Sequence, residues 1–192
     1  MEILIISTLS YLIGSIPFGF LLTKFFLKKD IRNIGSGNIG ATNVLRTGNK
    51  SIGYATLTFD IVKAVIPIIY LKLNYNDYIL IASLCIFLGH VFPIWLKFKG
   101  GKGIASLFGY LLAVNQVFFL ICAGIWIFIA IASKYSSLAS IISVVTMVFL
   151  FFIYEDNTNI VIPLSIAIII IFKHKENIKK LINKKENKIK IL

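Results

Sequence analysis

Acidic residues are scarce in this chain: 8 Asp plus Glu stand against 20 Lys plus Arg over 192 residues, a formal charge of +12 at pH 7. In a soluble protein that surplus would raise the question of nucleic acid. Here the cations gather in short polar stretches and in the tail, between long apolar runs, so topology and anionic lipid or substrate account for them and no nucleic-acid partner is expected. Cysteine is rare as well. Cys85 and Cys122 fall inside apolar runs without C-x-x-C spacing, which removes a redox motif and leaves core packing. Carboxylates form no cluster, so neither a metal nor another cofactor is expected. The G-x-S-x-G elbow and the H-E-x-x-H helix are missing, which excludes those two kinds of hydrolase. A His-x4-Asp acyl-transfer pair is missing too, because Trp95 and Lys179 occupy the fifth positions after His90 and His174. No basic leader opens the chain: Glu2 sits there, and the apolar run reaches Leu27 broken only by Lys24, so an uncleaved first span is expected.

What is present is overwhelmingly apolar. A hydrophobic content of 58% and a mean hydropathy of +0.89 define an integral membrane protein. Apolar stretches run over residues 3–27, 51–71, 78–96, 104–132, 138–153 and 160–172. Six crossings would place the Lys-rich tail opposite Lys28, Lys29, Arg32, Arg46 and Lys50, against the positive-inside rule. Breaking 104–132 at Asn115-Gln116, the strongly polar pair within it, gives seven crossings and removes the conflict. Charge counting thus favours seven or five crossings over six. The expected fold is an all-α integral membrane protein of about seven transmembrane helices, some short, in a single domain over residues 1–192. Its N-terminus lies outside. Residues 28–50 and 97–102, Lys134 and the tail from Lys173 face the cytoplasm, and the outer loops keep Lys72, Asp77, Glu155 and Asp156.

Several polar patches interrupt the apolar pattern. Residues 35–46 carry Gly35, Gly37 and Gly40 for close backbone approach, with Ser36, Asn38, Thr42, Asn43 and Arg46 as donors suited to phosphate or carboxylate oxygens. The competing reading is a tight interhelical turn. Gly100-Gly101-Lys102-Gly103 before a helix offers N–H groups, a positive dipole end and an ammonium; it is either a phosphate cradle or a basic turn against lipid headgroups. It is not a Walker A loop, lacking the earlier Gly and the following Ser/Thr. His90 either contacts substrate or hydrogen-bonds at a helix end. Asp60 and Lys63 share a helix face and must at least pair with each other, as a structural ion pair or one that also orients the loop above. His174 and Asn177 share a face if the tail is helical, the alternative being a solvated basic tail. Ser136-Ser137-Leu138-Ala139-Ser140 reads as the last inner loop, where small residues let helices approach.

Together these residues resemble the bacterial acyl-phosphate-dependent glycerol-3-phosphate acyltransferases, over almost the whole length. The resemblance is carried by Gly14-Ser15-Ile16-Pro17, Asp30-Ile31-Arg32 with residues 35–46, Asp60 with Lys63, Gly89-His90 with Phe92-Pro93, residues 100–103, residues 137–140, and His174 with Asn177-Ile178. Lys175 and Lys180 stand where the family usually has Arg and Lys184 where Gly is common, while Glu186 keeps the acidic position. The resemblance implies seven helices and acyl transfer from acyl phosphate to the sn-1 hydroxyl of glycerol 3-phosphate. It implies His174, Ser36, Arg46, Lys102 and Asn177 as the catalytic set. It implies Gly37, Asn38, Gly40, Thr42, Asn43, Asp60, Lys63, His90, Gly100, Gly101, Gly103 and Ser137 as the substrate- or phosphate-binding set. Membrane lipid and the enzyme that supplies acyl phosphate are the expected partners. The rival reading is a membrane transporter or carrier of a phosphorylated anion, which the nearly cation-free outer loops disfavour.

Overall fold

The computed structural model describes residues 1–155 and 160–189, so Asp156 of the expected outer loop lies outside the described residues. Every regular element among the described residues is helical. Five helical stretches are long and apolar enough to cross a membrane: Glu2–Phe26, Lys50–Asn74, Asn76–Leu96, Gln116–Ser133 and Ser136–Tyr154. Two shorter apolar helices, Ile104–Val114 and Val161–Lys173, join them. The surface is inverted relative to a soluble protein. Phe25, Ile66, Phe128 and Phe152 are each more than 60% exposed, while Ser15, Thr23, Asp60, Lys63, His90 and His174 are buried.

The chain forms two compact units, Met1–Val114 and Asn115–Leu192. In the first, the expected opening span is present as one apolar stretch, Glu2–Phe26, built from two helices. α1 (Glu2–Gly14) stops before Ser15-Ile16-Pro17, and α2 (Phe18–Phe26) resumes after it, because proline brings no N–H and crowds the preceding turn. A five-residue helix, α3 (Ala41–Leu45), precedes α4 (Lys50–Asn74), which Asn49 caps by accepting the Ile52 N–H at 3.0 Å. α5 (Ile79–Val91) packs along α1, and α6 (Ile104–Val114) along α4. Tyr11 Oη donates to the Phe92 carbonyl at 2.7 Å and Trp95 Nε1 to Ser15 Oγ at 2.8 Å, fastening the α1 end to the α5 end.

In the second unit α7 (Gln116–Ser133), α8 (Ser136–Tyr154) and α9 (Val161–Lys173) precede the short α10 (Lys175–Ile182). The break expected inside 104–132 is present at Asn115, whose Oδ1 accepts the Phe118 N–H at 3.1 Å and starts α7. The 136–140 segment is not a loop. It is the first turns of α8, and its small residues suit close packing against α7: Trp126 Nε1 donates to Ser140 Oγ at 3.1 Å and Ser143 Oγ to the Cys122 carbonyl at 2.9 Å. Both cysteines are free, Cys122 buried and Cys85 half-buried.

Candidate active site

The 30–46 loop is built from the inside out. Ile31, Ile39, Val44 and Leu96 bury together, with Phe20, Ile34 and Ile52 packed against them, so the loop's apolar residues form its seat. Above that seat lies Asn43, 2% exposed. Its Oδ1 accepts the Ser36 N–H at 2.9 Å, while Nδ2 reaches the carbonyls of Ile31, Ile34 and Asn38 at 3.2, 2.8 and 2.8 Å. Four hydrogen bonds from one amide hold the turn, which bends through left-handed Gly35 (φ 57°) and Gly37 (φ 72°). The sequence places Asn43 among the substrate contacts; in the structure its side chain hydrogen-bonds the loop's own backbone.

At the loop's start, Asp30 accepts the Arg32 backbone N–H at 3.0 Å and forks the Arg32 guanidinium at 2.6–3.2 Å. That guanidinium holds the Asp30 carboxyl down to about 2, from an ordinary 3.8. In contrast, the side chains of Ser36, Asn38, Thr42 and Arg46 make no hydrogen bond or ion pair among the described residues. Ser36 is exposed; Asn38, Thr42 and Arg46 are half-buried. A satisfied backbone therefore carries an uncommitted set of hydroxyl, amide and guanidinium donors.

The glycine-rich 100–103 segment folds back on the end of α5. Gly100 N–H donates to the Val91 carbonyl at 3.2 Å and Gly101 N–H to the His90 carbonyl at 3.1 Å. Two of the N–H groups counted towards a phosphate cradle are thus used internally, and Gly100 and Gly101 contribute shape. A β-carbon at 101 would run into the His90 ring. Gly103, at φ 90°, leads into α6, and Lys102 between them is half-buried. Asp60, Lys63 and His90 lie together, 2–5% exposed. Lys63 Nζ stands 2.7 Å from Asp60 Oδ1 and 3.0 Å from His90 Nδ1. The sequence spacing pairs Asp60 with Lys63; it gives no sign of the third member, which lies 27 positions further on.

In the second unit His174 occupies the joint between α9 and α10, 3% exposed, with Nδ1 2.8 Å from the Ile170 carbonyl. A carbonyl only accepts, so Nδ1 carries hydrogen and Nε2 is the basic nitrogen of the neutral ring. Asn177 is on α10. Its Nδ2 donates to Glu186 Oε1 at 2.7 Å, and Ser137 Oγ donates to the same oxygen at 2.8 Å. Ser137, expected in a loop, lies in the first turn of α8 and anchors the tail from there. The Ile189 N–H completes the return by donating to the Lys134 carbonyl at 2.8 Å.

An all-helical chain that buries its polar groups, exposes its apolar ones and keeps donors uncommitted on a rigid glycine-bearing loop is a membrane protein equipped for an anionic substrate. The family profile described as glycerol-3-phosphate acyltransferase matches residues 4–184. The glycerol-3-phosphate acyltransferase of Pelagibacter ubique is 57% identical over 191 residues, covering 100% of both chains. That of Bartonella henselae is 44% identical over 96% of this chain and 90% of its own. The crystal structure of PlsY (YgiH), an integral membrane glycerol 3-phosphate acyltransferase, in its glycerol 3-phosphate form superposes with a TM-score of 0.93 at 33% identity, covering 99% of this chain and 96% of that one. Its lysophosphatidic acid form gives 0.89 at 33% identity, covering 98% and 95%. The chain belongs to the glycerol-3-phosphate acyltransferase family and is a multi-pass membrane acyltransferase.

Proposed function

We propose that this enzyme transfers a fatty acyl group from acyl phosphate to the sn-1 hydroxyl of glycerol 3-phosphate, giving lysophosphatidic acid and inorganic phosphate, the first acylation of phospholipid synthesis. Acyl phosphate is a mixed anhydride. The alcohol oxygen bonds to the acyl carbon, the bond from that carbon to the phosphate oxygen breaks, and phosphate leaves with the electron pair. No acyl-enzyme is required, so positioning and charge stabilisation carry the catalysis. The observation that supports this most is the 35–46 loop: Asn43 fixes its backbone and leaves Ser36, Thr42 and Arg46 uncommitted.

Ser36, Thr42, Arg46, Lys102 and Asn177 bind and polarise the phosphate-bearing substrates, while Gly37, Gly40, Gly101 and Gly103 shape their surroundings. His174 Nε2 accepts the hydroxyl proton, or an oxygen of the leaving phosphate does. His174→Gln discriminates: near-normal turnover at saturation assigns the proton to the phosphate. The N-terminus lies outside, the seven apolar helices all cross, residues 1–192 act as one acyltransferase domain, and the basic segments and reaction face the cytoplasm. The acyl phosphate comes from a coupled enzyme.

The test is lysophosphatidic acid formation by detergent-purified protein given acyl phosphate and labelled glycerol 3-phosphate, beside reactions with acyl-CoA or acyl carrier protein and an Arg46→Ala control. Product from acyl phosphate alone, formed about 30-fold less efficiently after the substitution, is the expected result. No product with any donor, from folded protein that binds glycerol 3-phosphate, would sink the proposal in favour of a carrier.

A further inference from the structure

Asp60, Lys63 and His90 are the most deeply buried ionisable cluster among the described residues, and Lys63 links the other two. Lys63 Nζ lies 2.8 Å from the Ile16 carbonyl, 2.7 Å from Asp60 Oδ1 and 3.0 Å from His90 Nδ1. Paired with the Asp60 carboxylate as an ammonium, Lys63 has three protons and no lone pair, so each acceptor takes one and His90 Nδ1 accepts; Asp60 Oδ1, 3.6 Å from Nδ1, is too far to take a ring hydrogen from it. Accepting there places the ring hydrogen on Nε2. The Nε2 edge is the one that meets Gly101, where a β-carbon would overlap Nε2, Cε1 and Cδ2. The loop is tied to the same residue from its other side, since the Gly101 N–H donates to the His90 carbonyl at 3.1 Å.

We propose that Asp60, Lys63 and His90 are positioning residues: the buried Lys63 ammonium fixes His90 in its Nε2–H tautomer, and the oriented ring forms the floor that shapes the 100–103 loop for a substrate phosphate. Asp60 supplies the countercharge without which a buried ammonium is strongly unfavourable. The Ile16 carbonyl, at the Pro17 break, locks the same ammonium to the first helix pair, and the Phe18 ring lies 5.7 Å from it. The three residues act through the loop and not on the substrate. The consequence for the loop rests on the acyl-transfer reading above; the tautomer does not.

The chain has two histidines, so nitrogen NMR of detergent-solubilised, 15N-histidine-labelled protein shows two imidazoles, and His174→Gln assigns them. The expected spectrum has His90 protonated on Nε2 with a bare Nδ1, the reverse of neutral His174. His90 protonated on Nδ1 in the unsubstituted protein overturns the proposal, whatever the enzyme's acyl donor. Lys63→Met should release the tautomer and raise KM for a phosphate-bearing substrate about tenfold with kcat within about twofold. A lost tautomer with unchanged KM also overturns it. If Lys63→Met fails to fold, His90→Gln and His90→Asn replace it. The Gln amide reaches the position of Nε2–H and should keep KM within about threefold, whereas the shorter Asn should match the tenfold rise. Equal effects of the two would refute the floor.

Discussion

The loop at 31–46 and the tail at 174–189 are each organised by one polar side chain, yet they divide labour differently. In the loop, Asn43 holds the backbone and the uncommitted donors are other residues, Ser36, Thr42 and Arg46. In the tail, Glu186 holds the chain by accepting from Ser137 and Asn177, two residues named for the site themselves. Scaffold and chemistry are separable in the first case and share atoms in the second. Substitutions should therefore split folding from activity in the loop and move both together in the tail.

The largest effect is expected at Asn43. Asn43→Asp keeps the acceptor for Ser36 but loses the donations to three carbonyls, about 3 kcal/mol of loop hydrogen bonding, and kcat/KM should fall on the order of 100-fold. Arg46→Ala should lower kcat/KM about 30-fold without moving the unfolding midpoint; a shift in that midpoint would break the comparison. Glu186→Gln should reduce activity roughly tenfold and stability by about 1–1.5 kcal/mol in the same variant, measured by turnover and denaturant unfolding. Loss of one without the other would show that the tail also separates its roles.

Smaller effects test the edges of the two regions. α10 ends in a full Schellman turn: the Lys185 N–H reaches the Lys180 carbonyl at 2.7 Å and Lys184 N–H the Leu181 carbonyl at 3.0 Å, with Lys184 left-handed at φ 55°. Lys184→Gly removes the β-carbon cost and should stabilise the tail by about 1 kcal/mol in denaturant titration. At the loop's start, Asp30 titrates at about 2 when folded against an ordinary 3.8, so its contribution is present above the ordinary value and is lost as pH falls through about 2. Because the pair is partly exposed and screened, Asp30→Asn should cost only about 0.5 kcal/mol at neutral pH, less in high salt and nothing below pH 2.

Much of this was legible in the sequence, and the remainder was not for identifiable reasons. The apolar runs locate the long helices because lipid-facing and buried positions are both hydrophobic. The break at Asn115 follows from charge bookkeeping across loops. The Pro17 break was hidden inside a run whose hydrophobicity never falters, although Pro17 itself is the signal. Ser136–Ser140 resembles a loop in composition, yet small hydroxyl residues suit the first turns of a helix packed against another. Asn43 reads as one more polar donor beside Asn38; only the burial of Ile31, Ile39 and Val44 shows which of the two turns inward. The meeting of Lys63 with His90 is a tertiary contact that no local spacing encodes.

The two tryptophans add an optical consequence. Trp95 donates to Ser15 in the first unit and Trp126 to Ser140 in the second, and the chain has no others. Each unit thus carries its own fluorophore, already pinned by a hydroxyl. Replacing either indole with phenylalanine leaves a single-emitter protein whose spectrum follows the melting of one half, so whether the halves come apart together or in sequence is readable without any added label.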